Sequence, residues 1–388
     1  MRGATLTGPV KIEASSSPAF VDEEPALDGL LARLDAAPPG DVSLDTEADS
    51  FHHYFEKICL LQLTEGGDVF LVDPLAGFSV APLLEHLTGR RLLMHGADYD
   101  LRLLYRDHGF RAASLFDTMI AAQLLGEREI GLMALLSKRL GVALDKAHQR
   151  ADWSVRPLPA GMAAYAVADV VYLPALVASL AEELAAKGRL AWHEEECARL
   201  TRTPFPRERA FDPENGWRLK GTNALTGKER ATVRALWDVR EARARALDVP
   251  PFRVMTNERL LRAAKLAAAG ETDLIRLFPG PRPLPGGLAM DVRRALDSAR
   301  ALPPAAWPGP KRAEAAEVDP ALERAIEKMK NVRDRKAAAL ELDPGILASR
   351  SVLTAAAHAL LADRPSSPER LAAAAGISRW RAELLLSS

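Results

Sequence analysis

Residues 41–45, 57–64 (KICLLQLT) and 68–73 (DVFLVD) are short apolar runs of strand-like length and composition. Each reads as a β-strand. Gly66 and Gly67 separate the last two, which predicts a hairpin. After a helical pattern near 80–88, a fourth strand-like run, RLLMHG, fills 91–96. Beyond it the apolar spacing becomes helical over 98–108, 117–125, 131–140 and 160–187, and a further helix precedes the first strand at 25–36. Strands first, then helices interleaved with a strand, restrict residues 25–200 to an α/β domain with a mixed sheet. Residues 1–24, rich in Ser, Gly and Pro, read as a loose leader.

The rest of the chain reads as all-helical after a Pro-, Arg- and Gly-rich connector at 201–227. It contains a repeat. Shifted by 93 positions, VREARARALDVPPFRVMTNERLLRAA (239–264) overlies VRDRKAAALELDPGILASRSVLTAAA (332–357) without a gap. Nine of these 26 positions are identical, Arg240/Arg333, Leu247/Leu340, Pro251/Pro344 and Leu260/Leu353 among them. This predicts two copies of one helical domain, at 228–303 and 317–388, joined by a Pro-rich linker at 304–316.

A chain of 388 residues exceeds one ordinary core, in keeping with several domains. Its net charge of −1 hides an asymmetry: residues 1–220 carry −9 and residues 221–388 carry +8. An acidic first half suits divalent cations, and a basic second half suits a polyanion, chiefly through the more basic first repeat. Cys59 and Cys197 lie far apart, outside any zinc-type spacing, and read as reduced structural thiols. No apolar stretch is read as reaching the ~18 residues that span a membrane, and the N-terminus has no signal-peptide core. A cytoplasmic protein is expected.

Within the α/β half, Asp45 and Glu47 stand two apart at the end of a strand, so both leave the same face. Asp100 lies in HGADYDLRLL, just past the fourth strand. Tyr165 and Asp169 are four apart on a helical pattern and share one face. Four converging carboxylates would repel one another without cations between them. Oxygen ligands of this kind suit two magnesium or manganese ions acting on a phosphodiester. Each motif alone is weak; D-x-E is more often a solvated strand end.

Taken in order, DTEADS…CLLQL, HGADYDLRLL and YAVADVVYL resemble the three motifs of the DEDD superfamily of 3′-to-5′ exonucleases, in its tyrosine branch. The nearest resemblance is to the ribonuclease D family, which QRADWSVRPLP also resembles, and the repeated helical units resemble HRDC domains. The likeness implies a ribonuclease H-like exonuclease domain followed by two all-α HRDC-like bundles. It implies that Asp45, Glu47 and Asp169 bind the ion that holds the attacking water. Asp45 and Asp100 would hold the second ion, Asp100 through water. Tyr165, with an ordinary pKa of about 10, would orient the nucleophile by hydrogen bonding more than act as a base.

The resulting expectation is an exoribonuclease that trims single-stranded RNA 3′ ends, tRNA precursors among them, and releases nucleoside 5′-monophosphates as a monomer. A DNA exonuclease and an inert binding module are the rivals. Other residues leave choices open. His52, His53 and Tyr54 either stack on the terminal base or face solvent. Trp153 belongs to the core or, with Arg156, closes the substrate channel. Asp117 reads as a helix N-cap, and spacing gives His148 no partner. No P-loop is present, so the HRDC likeness does not imply an ATPase.

Overall fold

In the computed structural model, residues 17–38, 40–144, 147–206, 211–281, 283–310, 319–362 and 367–387 are described. The leader up to residue 16 and the end of the Pro-rich linker lie outside them. The chain forms two compact units. One holds the sheet, its helices and residues 319–387. The other holds the helices of 211–310 together with the loop 49–57.

The sheet has six strands: β1 (Ala19–Val21), β2 (Asp41–Ala48), β3 (Ile58–Glu65), β4 (Asp68–Val72), β5 (Arg91–Met94) and β6 (Ser114–Asp117). Their order is β1-β4-β3-β2-β5-β6. The hairpin β3–β4 and the β2–β3 pair are antiparallel, and β1–β4, β2–β5 and β5–β6 are parallel, so the sheet is mixed as the sequence implies. β1 lies inside the segment read as a leader, and β6 has no counterpart in the sequence reading. Both are edge strands of three and four residues, too short to show a period.

Eight α-helices among the described residues accompany the sheet: α1 (Glu24–Ala36), α2 (Ala81–Thr88), α3 (Asp98–His108), α4 (Thr118–Leu125), α5 (Leu132–Leu140), α6 (Ala160–Val171), α7 (Leu173–Ala186) and α8 (Leu190–Arg202). All of β3 is buried, because both of its faces are covered. Val42 and Leu44 of β2 join Leu61, Leu63 and Phe70 in a core shared with α1, α2 and α3. Leu60 and Leu71 face the other way, onto Trp153 and the Met162–Val170 face of α6. Trp153 is therefore core. The helix expected over 160–187 divides at Tyr172, where Pro174 sits in the first turn of α7 and needs no amide donor. Contrary to expectation, Ala160–Ala186 is apolar and long enough to cross a membrane by length and composition. Its Ala-rich sequence hides this, and its leucines Leu173, Leu176, Leu180 and Leu184 are buried in a core with α4 and α5.

Among the described residues ten α-helices follow: α9 (Gly227–Leu247), α10 (Pro251–Val254), α11 (Asn257–Ala268), α12 (Leu274–Leu277), α13 (Gly286–Ala301), α14 (Pro320–Leu340), α15 (Pro344–Leu347), α16 (Arg350–Ala362), α17 (Pro368–Ala375) and α18 (Arg379–Leu386). The repeat is visible in them. α9 and α14 have 21 residues each, and α10 and α15 have four. α9 ends at Asp248 and α14 at Glu341, the only non-glycine residues with positive φ among the described residues. Arg240 donates to Met255 O, and Arg333 makes the equivalent bond to Ala348 O.

The two helical segments use that shared helix end differently. Asp248 accepts from the amides of Tyr54 (3.1 Å) and Phe55 (3.0 Å) and bonds His53 Nδ1 at 2.8 Å. In the other unit, Arg189 donates to Leu124 O and Leu340 O, both at 2.7 Å. Trp380 stacks on Trp192 with ring centroids 4.6 Å apart and donates to Glu196 at 2.9 Å. Gly126, at φ +79°, lies so close to Glu341 O that an added Cβ would meet it at 2.3 Å. Residues 319–387 thus share a core with the sheet domain.

Candidate active site

Alternation along β2 sorts its side chains. Val42, Leu44 and Thr46 share the parity of the α3 face, and Asp45 and Glu47 take the other, toward α6. β5 pairs only with Asp41–Ser43, so Asp45 and Glu47 overhang its end. There the chain turns through His95–Ala97 into α3, whose first turn carries Asp100. Tyr165 and Asp169 lie on α6 one turn apart, and the Tyr165 hydroxyl hydrogen-bonds Asp169.

Carboxylate oxygens of Asp45, Glu47 and Asp169 all lie within 4.8 Å of one another. Asp100 stands beside them, held by a 2.5 Å hydrogen bond from Thr46 Oγ1 to its Oδ1. All five expected site residues line one cleft of about 610 Å³. Among the described residues, no lysine or arginine pairs with Asp45, Glu47 or Asp169.

The electrostatics follow. Burial, then Asp100, Asp169 and Glu47, raise Asp45 well above the carboxylate range. Burial and Asp169 push Glu47 up to about 9. Burial lifts Asp169 to about 7 and Asp100 to about 6, the hydrogen bonds from Tyr165 and Thr46 opposing it. Burial raises the Tyr165 hydroxyl too, so it stays protonated and can donate to Asp169 instead of serving as a base. A hard divalent cation is what such an all-oxygen donor set lacks, so the residues fit one.

The remaining candidates resolve. His53 and Tyr54 engage the end of α9, and His52 Nδ1 bonds Arg253 at 2.9 Å. Arg156 is structural, holding Asp73 and the carbonyls of Cys59 and Trp153. His148 lies edge-on to Tyr165 at 6.2 Å. Both cysteines are buried and free, and burial pushes the Cys197 thiol up to about 12. Asp117 is the N-cap of α4, but it does more than capping requires. Its carboxylate also accepts from Gly96 N (3.0 Å) and Ala97 N (2.8 Å), so it fixes the turn that delivers Asp100. The sequence reading missed His95, Met119, Glu129 and Leu132 as cleft residues. His95, inside HGADYDLRLL, offered a signal, as did Gln149, a further cleft residue inside QRADWSVRPLP.

A mixed sheet with acids at a strand end and a facing Tyr-x-x-x-Asp helix defines a 3′-to-5′ exonuclease domain. A family model described as 3′-5′ exonuclease matches residues 18–185, and one described as HRDC domain matches 229–283. Ribonuclease D of Acidiphilium cryptum is 32% identical over 78% of this chain and 78% of its own. That of Gluconacetobacter diazotrophicus is 33% identical over 75% and 74%. The solved structure of Escherichia coli RNase D, an exoribonuclease involved in structured RNA processing, superposes with a TM-score of 0.66, at 26% identity over 95% of this chain and 96% of that one. The chain belongs to the ribonuclease D family. It is a divalent-metal-dependent hydrolase, a 3′-to-5′ exoribonuclease with a helical C-terminal region that includes an HRDC domain.

Proposed function

We propose that Asp45, Glu47, Asp100, Tyr165 and Asp169 carry the reaction, removing nucleoside 5′-monophosphates one at a time from a single-stranded RNA 3′ end. The observation that carries this is the approach of Asp45, Glu47 and Asp169 to within 4.8 Å. In this reading Asp45, Glu47 and Asp169 hold one divalent ion and Asp45 with Asp100 a second, magnesium or manganese. Bound there, the ions supply Lewis acidity to the phosphodiester and acidify water. Tyr165, bonded to Asp169, orients the attacking water. Thr46 and Asp117 hold Asp100 and its turn in place.

Structured RNAs, tRNA precursors among them, are the proposed substrates, and the protein acts as a cytoplasmic monomer. The domain layout belongs to the same proposal: a leader, a nuclease domain ending at 200, a connector to 227, and HRDC-like domains at 228–303 and 317–388. The matched helix lengths of α9 and α14 support the second HRDC-like copy. The first copy, with the higher basic excess, supplies attraction to RNA. Digestion of matched RNA and DNA oligonucleotides, with and without EDTA, tests the reading. Wild type should release monophosphates from RNA only with the ion present, and Asp45→Ala should release none. Normal ion-dependent cleavage by Asp45→Ala would sink the assignment.

A further inference from the structure

His95 lines the same cleft as the acids and is used by none of the roles above. It follows β5 directly, five residues before Asp100. Its ring is oriented from behind. Thr118 Oγ1 donates to Met94 O at 3.1 Å, so it accepts from His95 Nδ1–H at 2.9 Å. That assigns the proton to Nδ1. Burial lowers the ring's pKa, so the imidazole is neutral at physiological pH. Nε2 then carries a bare lone pair, and it has no hydrogen-bond partner among the described residues. The half-buried ring is thus a fixed, neutral acceptor in a cleft rich in carboxylates.

A neutral acceptor selects for a hydrogen-bond donor. Phosphate oxygens are acceptors and would not suit it. Exocyclic amines of bases are donors, but uracil has none, and an enzyme that trims every nucleotide in turn needs a donor common to all four. Sugar hydroxyls meet that requirement. On the terminal nucleotide they sit on the same sugar whose 5′ phosphate the acids, with their ions, would hold. Met119 and Leu132 line the same cleft and offer apolar surface to a sugar or base.

We propose that Nε2 of His95 accepts a hydrogen bond from a ribose hydroxyl of the 3′-terminal nucleotide and so makes the enzyme sensitive to the sugar at the end it removes. The proposal rests on the exonuclease reading of the cleft. His95 would be a specificity residue, positioned by Thr118.

The test uses the full chain and three oligoribonucleotides that differ only in the last residue: ribo, 2′-deoxy or 3′-deoxy. Release of that residue is measured in a single turnover with manganese. Wild type should prefer the ribo end over one of the deoxy ends by about fivefold to tenfold, the range of a neutral hydrogen bond. The disfavoured end identifies the hydroxyl. His95→Ala should flatten the preference, and His95→Gln, which offers a carbonyl oxygen, should keep part of it. Ratios within one preparation are insensitive to a misfolded fraction. Equal slowing of all three ends by His95→Ala, or no preference in wild type, overturns the proposal. Failure of wild type to remove even the ribo end at any ion concentration would instead fell the underlying reading.

Discussion

Thr46 donates a hydrogen bond to Asp100 across 54 residues of sequence, and the two belong to different sides of the same site. Thr46 stands between Asp45 and Glu47 but points to the other face of β2, where α3 begins. The strand therefore places two acids on one face and anchors a third from the opposite one. Thr46→Val keeps the shape and removes the anchor. The ion concentration for half-maximal cleavage should rise severalfold, with the melting temperature only modestly lower. Activity titrated with manganese checks this; an unchanged requirement would mean that Asp100 needs no anchor.

The crowded acids make a pH prediction for the ion-free protein. Glu47 near 9, Asp169 near 7 and Asp100 near 6 stand above their ordinary values of 4.5, 3.8 and 3.8. The folded state keeps protons that the unfolded chain has already released. This contribution to stability is complete below about pH 4 and is lost as pH rises toward about 9. Urea melts in EDTA should therefore show stability falling over that window, less steeply in Asp169→Asn. A saturating divalent ion should remove most of the fall. A flat profile in EDTA would show that the acids are not crowded in solution.

Tyr165→Phe should reduce turnover about 100- to 10,000-fold and leave RNA affinity near wild type. The ring keeps its place beside His148 and Trp153, and only the hydroxyl on Asp169 is lost. Because the hydroxyl is raised rather than lowered, no tyrosine ionisation should appear in the pH–rate profile below about pH 9. Single-turnover rates at saturating RNA decide the matter, and an unchanged rate would reduce Tyr165 to packing.

Trp380→Ala should cost the sheet-containing unit about 3–5 kcal/mol, as for other buried tryptophans. Trp380 is 3% exposed, stacked on Trp192 and bonded to Glu196. Denaturant melts read the loss. A cost under about 1 kcal/mol would mean that residues 319–387 stand apart from the sheet in solution.

Much of this was legible in the sequence because it is local. Four strands, the Gly66–Gly67 turn and most helices follow from period and punctuation. The pairing of Asp45 with Glu47, and of Tyr165 with Asp169, follows from periods of 2 and 3.6. The 93-residue repeat reappears as Asp248 and Glu341 at equivalent helix ends. What stayed hidden is non-local. Ala19–Val21 is a strand only because β4 offers an edge. Asp117 reads as a cap, and only the fold brings it the amides of Gly96 and Ala97. Nothing in the spacing of Trp192 and Trp380 announces that they stack.

That last contact also orders events in time. Glu196 and Trp380 are 184 residues apart, and the helices of the other unit, in 211–310, are encoded between them. At about 5–20 residues per second, a ribosome needs on the order of 10 to 40 s to supply the second partner after the first. Through that interval the acids of the cleft are already made, while the indole of Trp192 waits uncovered. A nascent chain would complete this packing only after Trp380 itself had been made.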